Sequence, residues 1–425
     1  MVRETNRYFK FDWITIILFL LLVGFGWLNI LSASHVGESL DYFNFSQPYG
    51  KQLVFILFTL GLIVLVLSIE AKFYERFSSI IYILSMLSLM GLFLFGKNVN
   101  GATSWYAFGG MTLQPSEFAK AATALAVAKY ISDLNTDIKR LKDQIRTFII
   151  IIVPAVLVLL QNDTGSTVVY AAFFFVLYRE GLPKIYLISG VLILVLSVMS
   201  LKFGVLITAL LAAVVLTVLT LLSNKKLSIL KSILLLLLCV GLSFAIKYVY
   251  QDILKPHQQD RISLWLRLEQ DPEKLEQMKK TFAYNLNESE KAIRSGGVTG
   301  KGFLEGTRTT GKFVPEQHTD YIFSTVGEEW GFLGSTLVVI IFVLLILRIL
   351  HLAELQKSQF SRVYGYSVAA IIFMHFLINI GMVMGLIPTI GIPLPLFSYG
   401  GSGLWAFTIL IFIFIKLDSN RINEW

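Results

Sequence analysis

Phe313-Val314-Pro315-Glu316-Gln317-His318-Thr319-Asp320 closes a polar segment of about seventy residues, roughly 251–322, in a chain that is otherwise apolar. Hydrocarbon cannot satisfy such a stretch, so its acids, bases and glycines must sit in water or line a cavity. Apolar runs flank it at about 228–250 and 323–349, each long enough for a membrane-crossing helix, which needs roughly 20 residues. Apolar runs around a polar insert indicate an all-α polytopic integral membrane protein.

The rest of the chain repeats that pattern. Runs near spanning length lie at about 13–33, 52–69, 77–96, 147–161, 166–182, 185–201, 203–223, 363–385 and 403–418. A weaker run at 114–132 carries Glu117 and Lys120. The count is twelve, within a range of ten to twelve transmembrane helices once tilted or merged runs are allowed for. Of the 425 residues 55% are hydrophobic and 15% charged, with a mean hydropathy of +0.70. Soluble domains average about 25% charged residues. The single cysteine, Cys239, lies in an apolar run, which excludes an internal disulfide and argues against redox or thiolate-zinc chemistry.

The short loops set the expected orientation. Lys and Arg gather before the first span (Arg3, Arg7, Lys10), after the second (Lys72, Arg76), after the fourth (Lys139, Arg140, Lys142, Arg146) and after the eighth (Lys225, Lys226). Lys357 and Arg362 precede the eleventh, and Lys416 and Arg421 lie at the end. Basic loops alternate with others, which predicts cytoplasmic termini. Loops 34–51, 97–113, 162–165, 251–322 and 386–402 then face outward. The large extracytoplasmic loop holds eleven Lys/Arg and eleven Asp/Glu, so it has no basic bias to keep it inside. The net charge of +8 is assigned to topology, not to nucleic acid. One membrane with 1–250 and 323–425 as helical segments and 251–322 as a catalytic loop is the expected organisation.

Four constellations carry possible chemistry. The first is Asn100-Gly101-Ala102-Thr103-Ser104-Trp105 with Gln114-Pro115-Ser116-Glu117-Phe118-Ala119-Lys120. Pro115 and Ser116 read as a helix start, with Ser116 satisfying free N–H groups. Glu117 and Lys120, three residues apart, are either a local ion pair or a deep cation awaiting an anion. The second is Asp163-Thr164-Gly165, which a capped turn also explains. The third is the long loop. Its Arg261, Trp265 and spaced leucines suggest an amphipathic surface helix ended by Asp271-Pro272. Asp271 at the membrane edge would be partly desolvated and poised as a general base, or simply a capping acid. Ser295-Gly296-Gly297-Val298-Thr299-Gly300-Lys301-Gly302 reads as a phosphate cradle or a flexible turn. Glu316, His318 and Asp320 could hold a hard divalent cation, Mg²⁺ or Mn²⁺. The fourth is Pro393 to Ser402, where prolines and glycines in apolar surroundings predict a re-entrant element containing Ser398, Gly400, Gly401 and Ser402. His375 and Asn379, one turn apart before it, read as interhelical hydrogen-bond glue.

Taken in order, these blocks resemble the SEDS family (shape, elongation, division and sporulation proteins) over nearly the whole chain. The wording of Ser295–Gly302 and Phe313–Asp320 is more similar to the rod-shape branch than to the division branch. The resemblance implies a peptidoglycan glycosyltransferase of the bacterial cytoplasmic membrane that polymerises lipid II, with a class B penicillin-binding protein as partner among other elongation-complex membrane proteins. It places the essential acid on Asp271 and substrate contacts on Trp105, Ser116, Glu117 and Lys120. Asp163, Arg261, Lys301, Glu316, His318, Thr319, Asp320, Ser398, Gly400, Gly401 and Ser402 are further candidates for substrate binding. Three features depart from the family pattern. Ser104 stands where an Arg often precedes the Trp, the stretch after Pro272 is longer and more charged, and twelve spans replace the usual ten. Asp260 and Glu269 therefore stay open as alternatives to Asp271. A lipid-linked precursor flippase and a non-catalytic scaffold are the rival readings.

Overall fold

The computed structural model describes residues 11–35, 42–99, 101–109, 111–222, 229–269, 271–280, 284–315 and 317–421. The chain begins with helices α1 (Trp13–Ser34), α2 (Pro48–Ser68) and α3 (Ala71–Phe95). A ribbon of three short strands follows, β1 (Lys97–Val99), β2 (Ala102–Phe108) and β3 (Met111–Leu113), paired antiparallel in the order β1-β2-β3. Next come α4 (Pro115–Ile131), α5 (Leu141–Leu160), α6 (Thr164–Val169), α7 (Ala172–Arg179), α8 (Lys184–Leu222) and α9 (Ile229–Tyr248), the last extended by a π turn at Val249–Ile253. The polar segment forms α10 (Pro256–Leu266), α11 (Pro272–Lys280), α12 (Tyr284–Ser295) and α13 (Thr307–Thr310). The chain closes with α14 (Ile322–Glu329), α15 (Gly331–Glu354), α16 (Gln359–Val383) and α17 (Gly401–Asn420).

The protein is a multi-pass, all-α membrane protein. Nine helices among the described residues are long and apolar enough to cross a bilayer. The remaining expected runs are shorter or broken. α4 has 17 residues, and the run at 166–182 divides into α6 and α7. The two runs at 185–223 form the one long α8, interrupted by Gly204 with φ 80° and ψ 164°. The run at 323–349 breaks at Trp330, so α14 stands outside the spanning helix α15. The outer loop expected at 97–113 is the strand ribbon.

Two compact units make up the chain. The first comprises Met1–Leu182, Glu288–Met384 and Ile390–Trp425, the second Pro183–Asn287 and Gly385–Thr389. The polar segment is thus shared between them, with α10, α11 and the first residues of α12 in the second and the rest of α12 with α13 in the first.

In the first unit the core is α4, α16 and α17. Of the spanning windows of α16 and α17, 78% and 72% is buried, against 22% for α2 and α3, so α2 and α3 face outward from the unit. α4 packs on α3, α5, α16 and α17. Its alanines at 119, 121, 122, 124, 126 and 128 are buried. Small side chains let neighbouring backbones approach closely, the substitute in lipid for a hydrophobic driving force. In the second unit α8 packs against α9, and the Ser200 hydroxyl donates to the Ser243 carbonyl at 3.1 Å.

The glycine-rich stretch 295–302 packs directly on the α14–α15 junction. The Lys301 and Gly302 N–H groups donate to the carbonyls of Glu328 and Glu329, both at 3.0 Å. Gly300 has φ +83°, and a Cβ there would stand 2.1 Å from the Glu329 carbonyl oxygen. Only glycine fits. Gly300→Ala should therefore destabilise the first unit by at least about 2 kcal/mol, combining overpacking with a left-handed backbone penalty. A thermal-shift measurement in detergent checks this, and an unchanged melting temperature would contradict the close approach.

Candidate functional site

At one pole of the first unit lies a cavity of about 580 Å³, within the usual range of small-ligand sites, roughly 300–1,000 Å³. Its wall brings together Trp105, Gln114, Glu117, Thr319, residues 393–396 and 398–404, with Lys51 and Phe55 of α2. Seven predicted site residues, Trp105, Glu117, Thr319, Ser398, Gly400, Gly401 and Ser402, therefore line one space although they span some three hundred positions in sequence.

Each is held there by polar groups that lipid would otherwise leave unsatisfied. Trp105 sits on β2 opposite Lys97. The ribbon is pinned by the Thr103 N–H donating to the Gln161 carbonyl at 3.0 Å and the Tyr106 hydroxyl to Ser88 at 2.8 Å. The Ser402 hydroxyl accepts from the Gln114 N–H at 3.0 Å and lies 3.2 Å from the Thr112 carbonyl, tying the starts of α4 and α17. The Ser398 hydroxyl donates to the Thr319 carbonyl at 2.6 Å, and the Tyr399 N–H donates to that of His318 at 2.9 Å. Asn379 donates to the carbonyls of Asp320 and Ile392 at 2.8 and 2.7 Å. That is the glue role expected of Asn379. The irregular segment 390–400 is thus supported by α16, as non-helical backbone at membrane depth requires. Glu316 lies outside the described residues.

Beneath the cavity Lys120, only 2% exposed, donates to Glu117 Oε1 at 2.8 Å and to His375 Nε2 at 2.7 Å. The ion pair and the deep cation are the same object. Its partners are supplied by α4 itself and by α16, and His375 serves as interhelical glue. Glu117 Oε2 has no hydrogen-bond partner. Pro115 opens α4 as predicted, but Ser116 does not cap it. The N-cap is Gln114, without a side-chain bond. The Ser116 hydroxyl instead lies 3.4 Å from both Asp163 Oδ2 and Ser166 Oγ, because the Asp163 carboxylate is the stronger acceptor. Asp163 caps α6 through the Ser166 N–H at 2.9 Å and accepts from the Gln114 amide at 2.9 Å. It supports the cavity wall and is not part of its lining.

Two expectations are corrected. The Ser295–Gly302 stretch is a turn packed on α14, and its Gly296, Gly300, Lys301 and Gly302 N–H groups and its Lys301 ammonium are already used inside the protein. Lys301 donates to Glu328 at 2.7 Å, and Glu328, fully buried, also accepts from the Arg308 and Thr309 N–H groups at 2.9 and 2.8 Å. Burial alone would push the Glu328 carboxyl up, but Lys301 and these N–H groups hold it below its usual value. Its neighbour Glu329 takes a hydrogen bond from Ser32, yet burial pushes it up to about 7. In the second unit, the helix carrying Arg261 ends at Leu266 with Arg267 left-handed (φ 56°), and Pro272 starts α11 instead of ending α10. Asp271 is exposed and accepts from the Glu273 N–H at 3.1 Å, the geometry of a capping acid. The partial burial expected of it is absent. Among the described residues no three His, Cys, Asp or Glu side chains gather closely enough to hold a metal ion.

The family model of the FtsW, RodA and SpoVE cell cycle proteins matches residues 12–209 and 191–423. The chain belongs to this family. It is 30% identical over 441 residues to the peptidoglycan glycosyltransferase RodA of Treponema pallidum (strain Nichols), covering 97% of this chain and 98% of that one. It is 31% identical over 349 residues to the peptidoglycan glycosyltransferase MrdB of Escherichia coli (strain K12), covering 81% and 79%. The fold is similar to a chain solved in a peptidoglycan synthase complex that coordinates polymerization and crosslinking, with TM-score 0.73 and 23% identity over 98% of this chain and 100% of that one. It is also similar to the rod shape determining protein RodA of Thermus thermophilus, with TM-score 0.63 and 23% identity over 99% and 100%.

Within this member of the family, sequence reasoning missed Lys51, Gln114 and Tyr399 as parts of the cavity wall. Lys51 carried a signal: it is an isolated cation at the junction of a polar loop and an apolar run.

Lys120→Gln should cost about 3–5 kcal/mol, since it leaves the buried Glu117 charge unpaired, and thermal unfolding in detergent measures this. For Glu329 the folded pKa of about 7 exceeds the ordinary 4.5, so the native state binds the proton more tightly. Below the lower value there is no penalty. Between the two the unfolded chain ionises first and stability falls, and above pH 7 the loss is complete. The melting temperature of Glu329→Gln relative to the unsubstituted protein should rise from pH 5 to 8, and a pH-independent difference would refute this.

Proposed function

We propose that this chain is a peptidoglycan glycosyltransferase that polymerises lipid II during cell elongation. The observation that carries the reading is the convergence of seven motif residues, from Trp105 to Ser402, on one cavity, in a chain similar over nearly its whole length to proteins named for that activity. The proposed reaction is an inverting transfer. The 4-hydroxyl of an acceptor GlcNAc loses its proton to Asp271 and attacks the anomeric carbon of the donor chain's MurNAc. The bond to undecaprenyl pyrophosphate breaks, and the pyrophosphate leaves as an anion. No covalent intermediate is needed. The Asp271 carboxylate is exposed and open to an incoming hydroxyl.

The alternation of basic and other loops in this chain supports an orientation with cytoplasmic termini and the cavity opening outward from the cytoplasmic membrane. A class B penicillin-binding protein is the proposed partner, because the similar chain of known structure belongs to a complex that joins polymerization to crosslinking. Any Mg²⁺ or Mn²⁺ requirement is assigned to the counter-ion of the substrate pyrophosphate.

Asp271→Asn separates chemistry from folding. Asparagine caps a helix about as well as aspartate, so α11 and the melting temperature should be retained while the proton acceptor is lost. With the partner and labelled lipid II in detergent, and moenomycin present to silence other glycosyltransferases, the unsubstituted complex should form long glycan and the variant none. Glycan from Asp271→Asn would refute the base assignment. A flippase or a scaffold would form none in either case.

A further inference from the structure

Resting on the glycosyltransferase reading, we infer that Lys51 and the first turn of α17 form the subsite for the pyrophosphate of the polyprenyl-linked substrate and product. Gly401, Ser402 and Gly403 line the cavity and occupy the first helical positions of α17. The first N–H groups of an α-helix have no internal acceptor. No side chain caps this end, and the Gly400 N–H is already taken by the Gln52 side chain at 3.1 Å. At 20 residues α17 is long enough to carry a full helix dipole, whose positive end points to an anion.

Lys51 supplies the full charge. It is in the first turn of α2, next to Gln52, and lines the same cavity. It is exposed, and no acid lies within ion-pair distance of it among the described residues. The other candidate cations in the first unit are spent, Lys120 on Glu117 and Lys301 on Glu328. α2 also begins without a side-chain cap. A cation from α2 and the uncapped start of α17 thus line one space.

A second, independent feature points to a ligand and fixes its direction. Glu117 is 4% exposed, lines the cavity, and leaves Oε2 without a partner. A buried carboxylate oxygen with nothing to accept is destabilising until a donor arrives. An anion would not supply that donor, but a sugar hydroxyl or amide would. The cavity is therefore polar in one sense: pyrophosphate at Lys51 and α17, sugar toward Glu117 and Trp105.

The test is equilibrium binding of undecaprenyl pyrophosphate, the reaction's product, to the purified chain with its partner in detergent. Lys51→Gln should weaken binding about tenfold, which corresponds to about 1.4 kcal/mol, and flatten its salt dependence, while Lys51→Arg should restore most of the affinity. Undecaprenol, which lacks phosphate, should bind both equally. Inorganic pyrophosphate should compete in the unsubstituted protein and not in Lys51→Gln. Equal affinity of Lys51→Gln and unsubstituted protein for undecaprenyl pyrophosphate overturns the subsite, as does equal loss for undecaprenol. A polymerisation assay on the same preparation keeps the two readings apart. Glycan formation with Lys51-independent binding sinks the subsite alone. Lys51-dependent binding without any glycan from the unsubstituted complex supports the subsite and sinks the polymerase.

Discussion

Lys120 is the constraint around which the first unit is built. A cation 2% exposed in the core of a membrane bundle is tolerated only where partners surround it. Here α4 gives Glu117, α16 gives His375, and the Phe407 ring of α17 lies 5.6 Å away. All three core helices must therefore be in register for any of these contacts to form. For Nε2 of His375 to accept from the ammonium it must be unprotonated, which leaves the Nδ1 proton facing the Pro393 carbonyl at 3.4 Å. One side chain thereby connects the helix core to the irregular segment that forms the cavity wall.

The same logic of satisfied donors explains the stretch around Glu328. Its carboxylate gathers Lys301, Arg308 and Thr309, while Gln317 donates to the Thr309 and Thr325 hydroxyls at 3.0 Å. The polar connection that precedes α14 is thereby fixed to the membrane bundle by one buried acid. Its proximity to Glu329 has a consequence: two adjacent carboxyls, one richly hydrogen-bonded and one mainly desolvated, are driven to different protonation. The arrangement stabilises the protonated form of Glu329 and the ionised form of Glu328 together.

Much of this was legible in the sequence because lipid imposes a coarse code. Apolar runs of spanning length and the punctuation of Pro115 each have a single physical meaning, and the spanning helices and the α4 start follow them. The convergence of Trp105, Glu117, Thr319 and residues 398–402 was legible only as family wording, since nothing in their spacing says that they meet. Partner choice was not legible at all. Whether Ser116 bonds its own helix or Asp163, and whether Lys301 faces an anion or Glu328, depends on residues 20 to 50 positions away. Asp271-Pro272 was misjudged for a local reason. A proline is equally suited to follow a helix end and to open the next helix, and here a left-handed Arg267 had already ended α10.

Glycine density alone was therefore a poor guide to anion binding, and the two glycine-rich stretches of this chain show why. Backbone N–H groups attract phosphate only while they lack an acceptor. In 295–302 the glycines let the chain approach α14 so closely that Gly300, Lys301 and Gly302 donate to the carbonyls of Gly296, Glu328 and Glu329. Their positive φ angles serve packing. At 400–403 the glycines begin a helix, and a helix start leaves its N–H groups unused by construction. Gly401 also stands against the Phe55 ring, where a Cβ would come within 3.1 Å, so the small residue keeps α2 and Lys51 close to those open donors. What distinguishes the two stretches is the destination of the N–H groups, and that is set by whether the chain after the glycines turns back on a carbonyl or winds forward into a helix.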